Sequence, residues 1–172
     1  MIQGMTAERL DPWRWMVLPM LACMAATLLL AAPIRVFGFA LPEPVFALVP
    51  AFAWAVLRPS VLAPACLLAL GLFDDLLWGG RLGVWPLGLL AAYGLVLVTR
   101  NIMSGQSRLM MWIWYCLACS AAMGVCGLAL GLETHNLPNP LAVAGQWLPT
   151  VLLYPLADRL IGRFEDADPR FR

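Results

Sequence analysis

Six apolar runs follow one another along the chain, separated by short polar connections. Each run approaches the ~20 residues that a helix needs to cross a bilayer. The connections are rich in glycine, proline, asparagine and arginine, which favour turns. The pattern predicts an all-α integral membrane protein whose six transmembrane helices form one bundle, over residues 16–32, 42–57, 61–78, 82–99, 109–132 and 141–161.

Three of these runs contain features that allow other interpretations. The second run contains Pro42, Pro44 and Pro50, so it is expected to tilt, to kink or to begin as a re-entrant segment. The first run resembles a signal peptide, but Ala31-Ala32-Pro33 is a poor cleavage site, and we expect the helix to be retained. Pro155 should kink the last run.

The arginines predict the orientation of the bundle. With a cytoplasmic N-terminus, nine arginines lie inside and only Arg35 and Arg81 lie outside, as the positive-inside rule requires. We therefore expect a cytoplasmic segment (1–15), a membrane domain (16–163) and a cytoplasmic tail (164–172). The nine inside residues are Arg9, Arg14, Arg58, Arg100, Arg108, Arg159, Arg163, Arg170 and Arg172.

Composition agrees with the membrane interpretation and narrows the chemistry. Hydrophobic residues make up 62% of the chain and charged residues 12%, against roughly a quarter charged in soluble domains. The net charge of +1 argues against nucleic acid as a partner. Cys116 and Cys119 form a C-x-x-C pair without further ligands, so helix packing is favoured over metal or redox chemistry. No nucleotide-binding or hydrolase motif is present, and we expect a protein that is not an enzyme and has no cofactor or metal.

Asp74 and Asp75 are the most informative residues, because a carboxylate in an apolar helix is costly and needs a reason. Gly71, Asp75 and Gly79 are spaced four residues apart and should share one helix face, where small residues let a neighbouring helix approach. The Asp75 carboxylate could bind a helix neighbour or a partner; its candidate neighbours are Arg81, Arg35 and Gln146. Asp74 points about 100° away and should face the outer polar zone.

Two further patterns predict contact surfaces. The fifth run carries small residues on one face, which allow close packing within the bundle or against a partner protein. They are Ser120, Gly124, Gly127 and Gly131. Near the end of the chain, Arg159 and Arg163 are one turn apart. They should anchor the last helix at the cytoplasmic surface, by snorkelling or by binding lipid phosphates or an acidic partner.

One segment carries a resemblance to a known family. The stretch Gly71-Leu-Phe-Asp-Asp-Leu-Leu-Trp-Gly-Gly-Arg-Leu-Gly83 resembles the segment Gly-Leu-x-x-Asp-Leu-Leu-x-Gly-x-x-Leu-Gly of the rod shape-determining MreD proteins. The family's acidic position then falls on Asp75, with Gly71, Gly79 and Gly83 in place. Residues 49–59, which end in Leu57-Arg58-Pro59, and the ending around Tyr154-Pro155-Leu156 also resemble the family.

The resemblance implies a component of the cell-wall elongation machinery in the bacterial inner membrane. Such a protein would hold MreC, and through it MreB filaments, beside RodA and its penicillin-binding transpeptidase partner, and so maintain the rod shape. The family is also similar in fold to the substrate-binding S-components of energy-coupling-factor vitamin transporters. Capture of a vitamin is therefore the alternative function, although few polar groups are available for a pocket.

Overall fold

The computed structural model describes residues 16–31, 35–36, 39–40, 43–57, 60–103, 105–135 and 139–165. This part of the chain is predominantly helical, as predicted, with one two-residue antiparallel ladder that pairs Arg35 with Ala40 and Val36 with Phe39. The elements in chain order are α1 (Leu18–Ala31), β1 (Arg35–Val36), β2 (Phe39–Ala40), α2 (Leu48–Leu57), α3 (Leu62–Leu77), α4 (Val84–Met103), α5 (Arg108–Thr134), α6 (Pro140–Val151) and α7 (Tyr154–Glu165). Among these helices, α4 and α5 are long and apolar enough to cross a membrane.

The second predicted run contains a helix of only 10 residues, α2. A helix of that length is about 15 Å long, half the thickness of a bilayer core. Residues 43–47 precede it outside the helix: 43–45 have no regular structure, and 46–47 form a hydrogen-bonded turn that leads into α2. Pro50 is tolerated in the first turn, where a helix has no partner for its N–H groups.

The segment before α2 forms hydrogen bonds through its backbone with side chains of α1 and α6. The buried Val45 N–H donates to the Thr150 hydroxyl oxygen over 3.1 Å, and the Cys23 thiol donates to the Phe46 carbonyl oxygen over 3.5 Å. Buried backbone groups outside helices and strands need such partners, because an unpaired buried group is costly.

Helix α2 is the centre of the core. Eight of its residues, from Leu48 to Ala55, are buried, and it contacts α3, α4, α5 and α7. The Phe52 ring meets the Tyr115 ring of α5 edge to face, with centroids 5.2 Å apart. A helix that is apolar all round is expected at such a fully enclosed position.

The last predicted run is divided into α6 and α7 at residues 152–153. Pro155 has no N–H and its ring would clash with the carbonyl of Val151 in a continuous helix, which favours a break there. Side chains of α5 donate to carbonyl oxygens at this break. The Trp112 indole donates to the Val151 oxygen (3.4 Å) and the Tyr115 hydroxyl to the Thr150 oxygen (3.2 Å).

Candidate functional site

The turn between α3 and α4 is built around the Asp75 carboxylate. Helix α3 ends at Leu77, and α4 begins at Val84. Asp75, which is 1% exposed, accepts the Gly83 N–H at Oδ2 (2.6 Å) and the Trp85 N–H at Oδ1 (3.2 Å). The first N–H groups of a helix need an acceptor, and Gly83, just before α4, has no side chain to supply one. Asp75 therefore caps α4 from the preceding helix, where the helix dipole also favours its negative charge.

Gly79 and Gly83 both lie in this turn, and the prediction that Gly79 shares a helix face with Gly71 and Asp75 is wrong. Helix α3 stops before Gly79 is reached, and a Cβ at Gly79 would meet nothing within 4 Å. The backbone φ angles are +61° at Gly79 and +101° at Gly83. These angles are costly for any residue with a side chain, so both glycines serve the turn and not a packing surface.

Glycines do mediate the packing of α4 against its neighbours. A Cβ on Gly71 would lie 2.6 Å from the Pro86 Cα, so α3 and α4 meet in backbone contact at this point. On the other side of α4, a Cβ on Gly88 would clash with the Cys126 sulfur and lie 3.0 Å from the Ala122 oxygen. The sequence analysis missed Gly88, although Gly88 and Ala92 form a small-x-x-x-small pair of the kind that marks close helix contacts.

The candidate neighbours of Asp75 are engaged elsewhere or lie outside the described contacts. Arg81 forms an exposed ion pair with Glu133 at the end of α5, and it does not bind Asp75. Gln146 lines a separate chamber, described next. The side chain of Arg35 lies outside the described part of the structure.

Asp74 is enclosed, which corrects the expectation that it faces the outer polar zone. It is 4% exposed, and its Oδ1 has no hydrogen-bond partner in the described part of the chain. Asp74 lines a chamber of about 20 Å³ whose other polar members are Thr27, Glu43 and Gln146. A chamber of this size holds about one water molecule. The helical periodicity placed Asp74 away from Asp75 but gave no information on the residues 43–46 that cover it.

The small-residue stripe of α5 lies on its outward side. Gly124 is exposed, and a Cβ there would meet nothing within 4 Å, whereas Tyr115, Ala118 and Ala122 on the opposite side are buried in the bundle. Gly124 and Gly127 line an open groove of about 690 Å³ between α5 and α6. Its other lining residues are Ser120, Met123, Leu128, Pro140, Val143, Ala144 and Trp147.

Polar contacts fix one wall of this groove. The Trp147 indole of α6 donates to the Ser120 hydroxyl of α5 over 3.0 Å, which holds the two helices at a fixed separation. Gly131, the last member of the predicted stripe, is half-buried further along α5. The groove is otherwise apolar and contains no charged side chain among its lining residues.

The predicted cytoplasmic anchor is described only in part. Arg159 is exposed on α7. Arg163 belongs to α7, but its side chain lies outside the described part of the structure, as do residues 1–15 and 166–172. Helix α7 reaches Glu165, two residues beyond the predicted end of the membrane domain.

Metal-binding chemistry has no candidate cluster here: within the described ranges, no group of three or more His, Cys, Asp or Glu side chains is placed to hold an ion. Comparisons of the chain with models of protein families, with curated proteins and with solved structures found no match. The sites above are therefore interpreted from their geometry.

Proposed function

We propose that the chain is a six-span membrane protein that acts as a scaffold and not as an enzyme. The membrane placement rests on the outward faces of its helices. Residues 109–132 of α5 contain no charged side chain, yet only 33% of the apolar stretch of α5 is buried inside the structure. Leu132 on α5 and Val98 on α4 are each 80% exposed. Such surfaces are costly in water and stable in lipid.

The remaining spans in this proposal are composite. Helix α2 with residues 43–47, and α6 with α7, each combine two pieces whose backbone groups are satisfied by Thr150, Trp112 and Tyr115. Helices α1 and α3 complete the six. The excess of arginine in the even-numbered connections and at the ends supports a proposed topology with both termini in the cytoplasm.

The observation that carries the scaffold proposal is the division of α5 into two faces. One face packs against α4, and the other presents Gly124 and Gly127 at an open groove. Glycines on a lipid-facing helix surface bury little and gain little from lipid tails, but they let another helix approach closely. The occupant that fits is the single transmembrane helix of a partner. In the family that the sequence resembles, this partner is MreC, which would link the chain to MreB filaments, RodA and the penicillin-binding transpeptidase.

The alternative function, vitamin capture in the manner of an S-component, is disfavoured by the size of the Asp74 chamber. Small-molecule sites usually enclose 300–1,000 Å³. The chamber next to Asp74 has about 20 Å³ and is roofed by residues 43–46. A vitamin would require this roof to move and the surrounding helices to separate.

The test is capture of partners from native bacterial membranes in mild detergent, with mass spectrometry of the proteins that co-purify. The scaffold proposal predicts MreC with RodA and its transpeptidase partner. Recovery of transporter ATPases with a coupling subunit would instead support vitamin uptake.

A variant pair makes this test specific to the groove. Gly124→Leu fills the groove without a clash inside the bundle, because a Cβ at Gly124 meets nothing within 4 Å. Gly94→Leu on α4 is the matched control, since its Cβ position is equally open. Loss of MreC with the Gly124 variant alone supports docking at the groove. Unchanged recovery with both variants would show that the groove is not the docking site.

A further inference from the structure

A second large cavity lies at the end of α4 opposite the Asp75 turn. It measures about 610 Å³ and is bounded by the last turns of α2 and α4, the connection after α4, the first turns of α5, and α7. The volume lies within the usual range for ligand sites. The scaffold function proposed above does not involve this cavity.

The polar wall of the cavity carries excess positive charge. Arg108 pairs with Asp158 over 3.3 Å. Arg100 is half-buried and has no carboxylate within ion-pair distance among the described residues. Two arginines and one aspartate therefore line the cavity. Arg108 is 81% exposed, whereas a half-buried arginine such as Arg100 favours a bound anion over an empty site.

The start of α5 adds donors on the same side. Its N-cap, Ser107, makes no side-chain hydrogen bond to the helix, so the Ser107 hydroxyl does not occupy the first N–H groups of α5. Such groups and the helix dipole attract anions, phosphate in particular. The exposed side chains of Asn101 and Gln106 also line the cavity, and the Gln106 amide donates to the Ile102 carbonyl oxygen over 3.0 Å.

Apart from Gly105 and Tyr154, the rest of the cavity wall is apolar and consists of Val56, Leu57, Met103, Met111 and Ile161. A site for a soluble anion has no need of such a wall. A phospholipid offers both chemistries, because its charged headgroup phosphate is joined to glycerol and acyl chains. Basic pockets between helices on the cytoplasmic side of membrane proteins bind lipid headgroups in this way.

We propose that this cavity binds the phosphate of an anionic phospholipid, with Arg100 as its main electrostatic contact. The proposal rests on the membrane placement proposed above, which puts Arg100 and Arg108 at the level of the cytoplasmic headgroups. It does not depend on which partner protein occupies the α5–α6 groove. An acidic peptide would match the arginines but would leave the apolar wall unused.

The test uses the full chain, purified in a neutral detergent and delipidated. Binding of phosphatidylglycerol, cardiolipin and phosphatidylcholine is measured by native mass spectrometry and by the shift in thermal unfolding temperature. Inorganic phosphate and a polyglutamate peptide are tested in parallel. We expect saturable binding and stabilisation by the two anionic lipids, and much weaker effects from the other three.

The variant Arg100→Gln should weaken anionic lipid binding about fivefold, which corresponds to about 1 kcal/mol for one arginine near the headgroups. Arg81→Gln is the matched control, since Arg81 lies in the turn before α4, at the end opposite the cavity, and does not line the cavity. Equal losses in the two variants, or equal binding of phosphatidylcholine, would overturn the proposal. Stabilisation by inorganic phosphate or by the peptide to the same extent as by lipid would overturn the assignment to a lipid.

Partner capture separates this proposal from the scaffold function. If Arg100→Gln loses lipid and still recovers the partner proteins, the cavity and the groove act independently, as proposed. If the wild-type protein recovers its partners but binds no anionic lipid, only the lipid proposal fails.

Discussion

Replacing Asp75 by alanine should destabilise the bundle through the start of α4. The substitution removes the acceptor of two N–H groups, from Gly83 and Trp85, and leaves both without a side-chain partner. Hydrogen bonds to a charged group contribute about 1.5–3 kcal/mol each, and ordinary ones about 1 kcal/mol. Because the first bond is short (2.6 Å) and the second is longer (3.2 Å), we expect a loss of about 3 kcal/mol in the free energy of unfolding.

Two variants separate the capping role from the general effect of losing a buried carboxylate. Asp75→Asn keeps one acceptor oxygen but directs an amide N–H at one of the two donors, so about half of the loss is expected. Asp74→Ala removes the neighbouring carboxylate, which is similarly buried but has an oxygen with no hydrogen-bond partner among the described residues. Its cost should therefore be clearly smaller than that of Asp75→Ala.

The assay is equilibrium unfolding in mixed micelles with increasing SDS, followed by circular dichroism. Helix α4 contacts α2, α3 and α5, so a defect at its start should lower the stability of the whole bundle and not only of one turn. Equal losses for the Asp75 and Asp74 variants, or a loss below about 1 kcal/mol for Asp75→Ala, would refute the capping explanation.

Two other substitutions follow from the same geometry. Gly71→Ala should lower the free energy of unfolding by about 1–3 kcal/mol in the same assay, because its Cβ would lie 2.6 Å from the Pro86 Cα. The control Gly94→Ala should be neutral or slightly stabilising. Equal effects of the two variants would show that α3 and α4 do not meet closely at Gly71. Asp74→Asn should leave the free energy of unfolding within about 1 kcal/mol of wild type or increase it, because it replaces a buried, incompletely paired charge by a neutral group. A loss as large as that of Asp75→Ala would indicate a partner for the Asp74 charge.

Periodicity and composition predicted the helices well where the apolar runs are uninterrupted. The predicted run 82–99 corresponds to α4 and the run 109–132 to α5, within a few residues at each end. The structure departs from the predicted runs at two places. Pro155 divides the last run into two helices. Before α2, the backbone of residues 43–47 is non-helical and is stabilised by hydrogen bonds to Thr150 and Cys23, which are distant in sequence. Hydrogen bonds between residues that are distant in sequence cannot be predicted from the local sequence pattern.

The two aspartates show where sequence reasoning about the site fails. Helical spacing was applied through Gly79, but helix α3 ends at Leu77, and the glycines that follow form the turn. Asp75 accepts N–H groups eight and ten residues later in the chain, from Gly83 and Trp85. This spacing cannot be recognised in the sequence, because it depends on the conformation of the turn. The enclosure of Asp74 depends equally on residues 43–46, whose position is set by tertiary packing.

The structure of residues 71–83 explains the residues that carry the resemblance to the MreD proteins. Its most recognisable positions are Gly71 at a helix contact, Asp75 at a cap, and Gly79 and Gly83 in left-handed turn conformations. All four have a structural task in joining α3 to α4, so any protein with this connection would need similar residues whatever it does. The segment therefore argues for a fold more strongly than for a function. The features that bear on the two proposed functions lie elsewhere: the chamber beside Asp74 measures about 20 Å³, and the α5–α6 groove of about 690 Å³ is open.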